Sequence, residues 1–196
     1  MNAIYFFAEK KQQKVCFLLY VCYNKTMKQT IHPVDTDVRF HTTFNKNGAQ
    51  VFNPKIVYAG ELKHSPQRQE NWHDHSVCEI IFICTGTGLI HLKTETFPIK
   101  AGDIVIYNPH TAHFEEGNGL SLYFFGVKNI KLKNLPADCL IANHISPLIH
   151  TGNDADIFKF YFSQLISEGE NKLHYYDEIA ENIVKIILNM ILRIKN

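Results

Sequence analysis

What this sequence has little of narrows it first. Lysine plus arginine outnumber aspartate plus glutamate by only 20 to 19, so the chain carries no surplus of either charge. A nucleic-acid-binding chain gathers phosphates with a basic stripe, and none is here, so no binding of operator DNA by this chain itself is expected. The five cysteines, Cys16, Cys22, Cys78, Cys84 and Cys139, are odd in number and form no C-x-x-C pair. Neither a disulfide framework nor a thiolate zinc knuckle is built that way, and a reducing, cytoplasmic compartment is the expectation. Cys78 and Cys84 fall inside an apolar strand pattern and read as core residues. No apolar run approaches the ~20 residues that cross a bilayer. The candidate is VCFLLYVCY, Val15 to Tyr23, with Lys10, Lys11 and Lys14 before it. No small-x-small cleavage site follows before Asn24 and Lys25, so neither a signal peptide nor a membrane partner is indicated. Internal repeats and low-complexity tracts are absent too, which excludes solenoids and arrays.

What remains fits one domain with an attached element in 196 residues. Met27 opens a polar stretch, MKQTIHPVDTDVRF, that reads as the beginning of a domain, and residues 1–26 read as a miscalled start or a loosely attached extension. Between Ile56 and Val127, short β-rich runs (KIVYAGEL, HSVCEIIFIC, GLIHLKT, DIVIYNP, LSLYFFGV) alternate with Gly and Asn turns. Regular short strands with such punctuation indicate an all-β sandwich or barrel, assigned to residues 27–135.

After Pro136 the character changes, and residues 136–196 read as helical. Asp154 or Asp156 is expected to cap a helix carrying Phe158, Tyr161, Leu165 and Ile166, ended by Gly169. A second helix should run from about Tyr176 to the end, with Ile179, Ile183, Ile186, Ile187, Met190, Ile191 and Ile194 at three- and four-residue intervals. Val184, Leu188 and Leu192 widen that stripe almost all the way round. Such a helix must bury more than one face. A homodimer through Ile183, Ile187, Met190 and Ile194 is the expectation.

The stretch WHDHSVCEIIFICTG, from Trp72 to Gly86, carries the chemistry. His73, His75 and Glu79 are separated by even numbers, so a regular strand would aim all three to one side, with Ile81 continuing that face. Ile80, Phe82 and Cys84 make the other face apolar, so the strand is expected to be covered on both sides. Two imidazoles and a carboxylate form a ligand set suited to zinc, iron, manganese or nickel, and equally the polar lining of a pocket for a small molecule. His113 joins them as a fourth candidate after the turn GDIVIYNPHTAH, with Tyr107 placed to reach the barrel mouth. Trp72, on the opposite face, is expected to pack under a helix.

The run H-x-H-x3-E-x6-G from His73 to Gly86 resembles the first cupin motif, and Gly102 through Pro109 to His113 resembles the second. Together with the two following helices, the chain is similar to the ligand-binding and dimerisation part of AraC-type transcription regulators. The resemblance implies a cupin jelly-roll barrel followed by a helical dimerisation segment. It also implies a small-molecule effector, such as a sugar or another small metabolite, bound near His73, His75, Glu79, Ile81, Tyr107 and His113, with no catalysis. The family's chains continue into two helix-turn-helix units, a pattern this sequence does not contain. The second motif departs from the cupin pattern, since His110 rather than glycine follows Pro109. A small metal-dependent cupin enzyme of isomerase or dioxygenase type is the alternative reading.

Overall fold

A computed structural model describes residues 53–65, 68–69 and 71–195. The extension at 1–26, the run at 15–23 and the side chain of Arg68 lie outside the described residues. Among the described residues seven strands come first: β1 (Lys55–Ser65), β2 (Arg68–Gln69), β3 (Cys78–Leu92), β4 (Thr96–Lys100), β5 (Asp103–Tyr107), β6 (His113–Lys128) and β7 (Leu148–His150). Two helices follow, α1 (Ala155–Asn171) and α2 (Tyr176–Lys195). Among the described residues no helix is long and apolar enough to cross a membrane.

All pairings are antiparallel, in the order β1-β6-β3-β5-β7, with β2 added to β6 and β4 to β3. The two long strands, β3 and β6, run side by side for their whole length, and register shifts around Thr85 let them bend. The sheet thus folds over on itself. Gly86 sits at that bend with φ 85°, and a Cβ there would fall 2.5 Å from the Gly119 carbonyl oxygen. Only glycine accepts both the left-handed backbone and the close approach.

Because side chains alternate across a strand, the fold makes two cores. Inside the barrel lie Ile81 and Ile83 from β3, Val105 and Tyr107 from β5, and Leu120 and Leu122 from β6. On the outer face, Cys78, Ile80, Phe82, Ile104, Ile106, Phe125 and Val127 meet Phe158, Phe162 and Leu165 of α1 and Val184, Ile187 and Leu188 of α2. From Cys78 to Ile83 every side chain is buried. The expectation of a strand covered on both sides holds.

The helical half differs in detail from the sequence reading. β7, inside the stretch read as helical, pairs with β5, so the sheet extends beyond residue 135. α1 runs past Gly169 to Asn171 and stops where Lys172 takes a left-handed conformation, its N–H bonding the Glu168 carbonyl. Asp154 holds the N-cap position but makes no side-chain cap bond. In α2 the buried stripe is Ala180, Ile183, Val184, Ile187, Leu188 and Ile191. Two residues assigned to the dimer interface, Ile183 and Ile187, therefore belong to the chain's own core, and Met190 packs partly against it. Of that set Ile194 stays exposed, at 36%, along with Ile179 at 42% and Ile186 at 39%. With apolar residues nearly all round, periodicity could not tell which face of the helix meets the barrel.

Candidate functional site

β3 begins only at Cys78, so His73 and His75 do not share a regular strand with Glu79, contrary to the sequence reading. They sit in an extended segment that bends at Ser76 and Val77 before entering β3. Backbone pairing puts this segment in place. The His73 N–H donates to the His113 carbonyl at 3.0 Å, the His113 N–H returns a bond to the His73 carbonyl at 2.9 Å, and the His110 N–H donates to the His75 carbonyl at 2.7 Å. The turn at 108–112 is thereby fastened to residues 73–75, and His110 reaches that bond with φ 63°.

Three imidazoles converge as a result. Ring centroids are 4.3 Å apart for His73 and His113, 5.0 Å for His73 and His75, and 5.4 Å for His75 and His113. One nitrogen from each lies within 4.8 Å of the other two, so the three could hold a metal ion. His73 Nδ1 donates to the Asn71 carbonyl at 2.9 Å and His113 Nδ1 to the Thr111 carbonyl at 2.7 Å. A carbonyl oxygen only accepts, so in both rings the second nitrogen, Nε2, is left to face the cluster. His113 is fully buried, and its Nε2 has no hydrogen-bond partner among the described residues.

Glu79 closes the cluster. Its Oε2 lies 3.2 Å from His75 Nε2 and 3.7 Å from His113 Nε2, while its Oε1 accepts from the Tyr58 hydroxyl at 2.8 Å. Tyr107 stacks on His113 with centroids 3.5 Å apart and donates its hydroxyl to Glu115 at 2.7 Å. Glu115 is itself buried and stands 4.0 Å from His113 Nε2. Ile81 lies below, in the apolar interior of the barrel.

Tyr58 and Glu115 escaped the sequence reading. Glu115 had a signal, since it lies two residues beyond His113 on one strand and therefore faces the same way. Tyr58 had none in its neighbourhood. β6 lies between β1 and β3, and Gly126 of β6 pairs with both Tyr58 and Glu79. A Cβ at Gly126 would fall 2.5 Å from the Tyr58 ring, so the missing side chain is what lets the ring cross β6 to the carboxylate. Trp72 is half-exposed with its edge on Phe114, not under a helix, because Phe114 and the stacked His91 face outward from β6 and β3. His110 is exposed, and Tyr123 turns to the helix side.

The charges are coupled. Burial works to raise the Glu79 carboxyl, but His113, Tyr58 and His75 outweigh it and hold its pKa below the ordinary 4.5. Burial works to lower His113, but Glu79, the Thr111 carbonyl and Glu115 outweigh it and hold its pKa above the ordinary 6.5. The Glu79 contribution to stability is present above its unfolded pKa and is lost as pH falls through the depressed folded value. The His113 contribution is complete below its unfolded pKa and is lost as pH rises through the raised folded value. In chelator-treated protein the pair should therefore stabilise most between pH 4.5 and 6.5. Urea midpoints measured across pH should show this maximum in the wild type and a flatter profile in Glu79→Gln; parallel profiles would refute the coupling.

Comparison with known proteins adds the following. The family model for the AraC-like ligand binding domain matches residues 56–179. No curated protein sequence matches the chain. Among solved structures, the AraC-like transcriptional activator CuxR is similar at 11% identity and TM-score 0.44, over 73% of this chain and 51% of that one. The chain thus spans about half the length of that activator. A cupin-2 domain protein from Shewanella frigidimarina aligns at 13% identity and TM-score 0.29, over 42% of this chain and 84% of its own. An oxalate decarboxylase from Bacillus subtilis, studied for its Mn(II) centres, aligns at 16% identity and TM-score 0.29, over 42% of this chain and 23% of its own.

Proposed function

We propose, from the premise that this chain belongs to the family of AraC-like ligand binding domains, that it is the effector-sensing and dimerisation part of a transcription regulator. The observation that carries the proposal is His113 Nε2, a fully buried nitrogen without a hydrogen-bond partner, aimed among two further imidazoles and a carboxylate. Buried polar atoms are seldom left unmatched, so a ligand group is expected there.

The donor set fits a divalent cation. His73, His75 and His113 would hold it, with Glu79 as a fourth group, and nitrogen and carboxylate donors suit zinc, iron, manganese or nickel. The carbonyl bonds at Nδ1 of His73 and His113 fix their tautomers in the manner of outer-shell partners at metal sites. Bound there, a divalent ion supplies a Lewis-acid anchor for an oxygen of the effector. Tyr107 and Glu115 then offer hydrogen bonds to effector hydroxyls, while Ile81 and its apolar neighbours limit its size.

The signal has a physical route outwards. The strand that carries Glu79 and Ile81 on its inner face carries Ile80 and Phe82 on its outer face, against the helices. An effector that favours one placement of β3 favours one packing of α1 and α2, by no more than its differential affinity for the two. This coupling of a site to helices is why a binding module is read here rather than a catalyst.

Elemental analysis of the purified chain, followed by calorimetry with Zn(II), Mn(II), Fe(II) and Ni(II), tests the site. A single bound ion per chain is expected. Absence of any metal uptake by the folded protein would sink the metal reading.

The dimer interface falls to the outer face of α2, where Ile179, Ile186 and Ile194 are exposed. Large apolar side chains left open in one region mark an interface. The chain should sediment as a dimer, and the double variant Ile179→Glu, Ile186→Glu as a folded monomer. A variant that stays dimeric would move the interface elsewhere.

A further inference from the structure

The loop that joins β6 to β7 covers a cavity of about 620 Å³, bounded on its other side by the last turns of α2. Its walls are Leu132, Leu135, Ile145 and Leu192, and its rim is Lys133, Arg193 and Lys195. Among the described residues no aspartate or glutamate lines it. Among the described residues none of the three cations has an ion-pair partner, whereas Lys55 and Lys63 each have one. Arg193 and Lys195 stand in the last turn of α2, where they answer the negative end of the helix. Lys133 is on the loop, so the helix dipole does not account for it. Burial depresses Lys195 with no carboxylate acting against it. Ile145, in the same wall, is left 43% exposed.

The floor is preformed. Asn108 accepts the Leu140 N–H at 3.0 Å and donates to the Ile141 carbonyl at 2.7 Å, and the Asp138 carboxylate accepts the Ile130 N–H at 2.9 Å. The Asn108 bonds pin the loop to the end of β5, and the Asp138 bond ties the loop to its own start. An open hollow of this size, with an apolar wall, the Asn189 amide and charge of one sign at its edge, has the make-up of a small-molecule site.

We propose that this cavity binds an amphipathic carboxylate, its apolar chain against Leu132, Leu135, Ile145 and Leu192 and its head between Lys133 and Arg193. It is a second site, separate from the imidazole cluster of the barrel, and it takes a different chemistry. Arginine forms two parallel bonds to a carboxylate, and the loop lysine adds a point charge. A neutral ligand of the same shape makes neither interaction.

The test uses decanoate and decanol on the full chain, below their aggregation limits, followed by backbone amide NMR. Decanoate should shift the amides of Leu135, Ile145 and Leu192, and decanol should bind roughly 10-fold more weakly or worse, the equivalent of one charge-assisted bond. The double variant Lys133→Glu, Arg193→Glu should lose at least as much decanoate affinity while staying folded, its melting temperature within a few degrees of the wild type because a helix-terminal charge is worth less than about 1 kcal/mol, and keeping the wild-type metal content. Equal binding of acid and alcohol would overturn the proposal. So would shifts confined to barrel residues such as Ile81 and Leu122, or unchanged decanoate affinity in the double variant.

Discussion

Alanine at position 113 should cut the affinity of the chain for Zn(II) or Mn(II) by more than ~100-fold, since losing an outer-shell partner alone costs about 10- to 100-fold. Three features put His113 above His73 and His75 in this respect. Its ring is fully buried, so no water can take its place easily. Its Nδ1 bond to Thr111 and its stacking on Tyr107 fix its orientation before any ligand arrives. Its Nε2 stands between Glu79 and Glu115, the two buried carboxylates of the site. The metal-free variant should also lose about 3–5 kcal/mol of stability, because both carboxylates are left with less compensation. Calorimetry gives the first number and urea unfolding the second. His91→Ala is the control, since His91 stacks on Phe114 outside the cluster and should leave metal affinity unchanged. Equal affinity in His113→Ala and wild type would remove His113 from the ligand set.

How much of this was legible in the sequence depended on how local each relation is. The two faces of β3 could be read off the alternation from Cys78 to Ile83, because strand geometry alone decides them. The approach of His73, His75 and Glu79 was legible by spacing although the chain bends at Ser76 and Val77. The two-residue interval survived, while the regular strand that suggested it did not. The place of His113 came from the turn in GDIVIYNPHTAH, and the structure shows why that turn matters: its backbone bonds to His73 and His75. Tyr58 was out of reach, since its contact with Glu79 crosses a third strand and relies on a glycine 68 positions away in the chain, as the pairing of Tyr58 with Gly126 records. The phase of α2 was out of reach for a different reason. A helix apolar nearly all round carries no label for the side that meets the barrel, and only the shape of the barrel's outer core selected Ile183 and Ile187. β7, three residues long, was too short to show a period.

That outer core is where the helices are held, and Phe162→Ala should show how firmly. Phe162 of α1 is fully buried, with ring centroids 5.5 Å from Phe82 of β3 and 5.4 Å from Phe125 of β6. The two strand residues flank the bend-free half of the sheet that carries the site on its other face. Truncating a buried phenylalanine costs about 3–5 kcal/mol, from lost transfer energy and the cavity left behind. For a chain of this length each kcal/mol lowers the melting temperature by ~2–4 °C, so a fall of roughly 6–20 °C is expected. Metal affinity should change far less, because Ile81 and Glu79 face the opposite core and His113 does not touch the helices. Should the alanine variant fail to fold, Phe162→Leu keeps most of the volume and should lower the midpoint by a few degrees in the same direction. The decisive comparison is the dimer. If the helices report the barrel's state through this contact, the Phe162→Leu protein should still bind metal as the wild type does, while its sedimentation no longer responds to metal. A dimer equilibrium that responds to metal equally in both proteins would show that the signal bypasses Phe162.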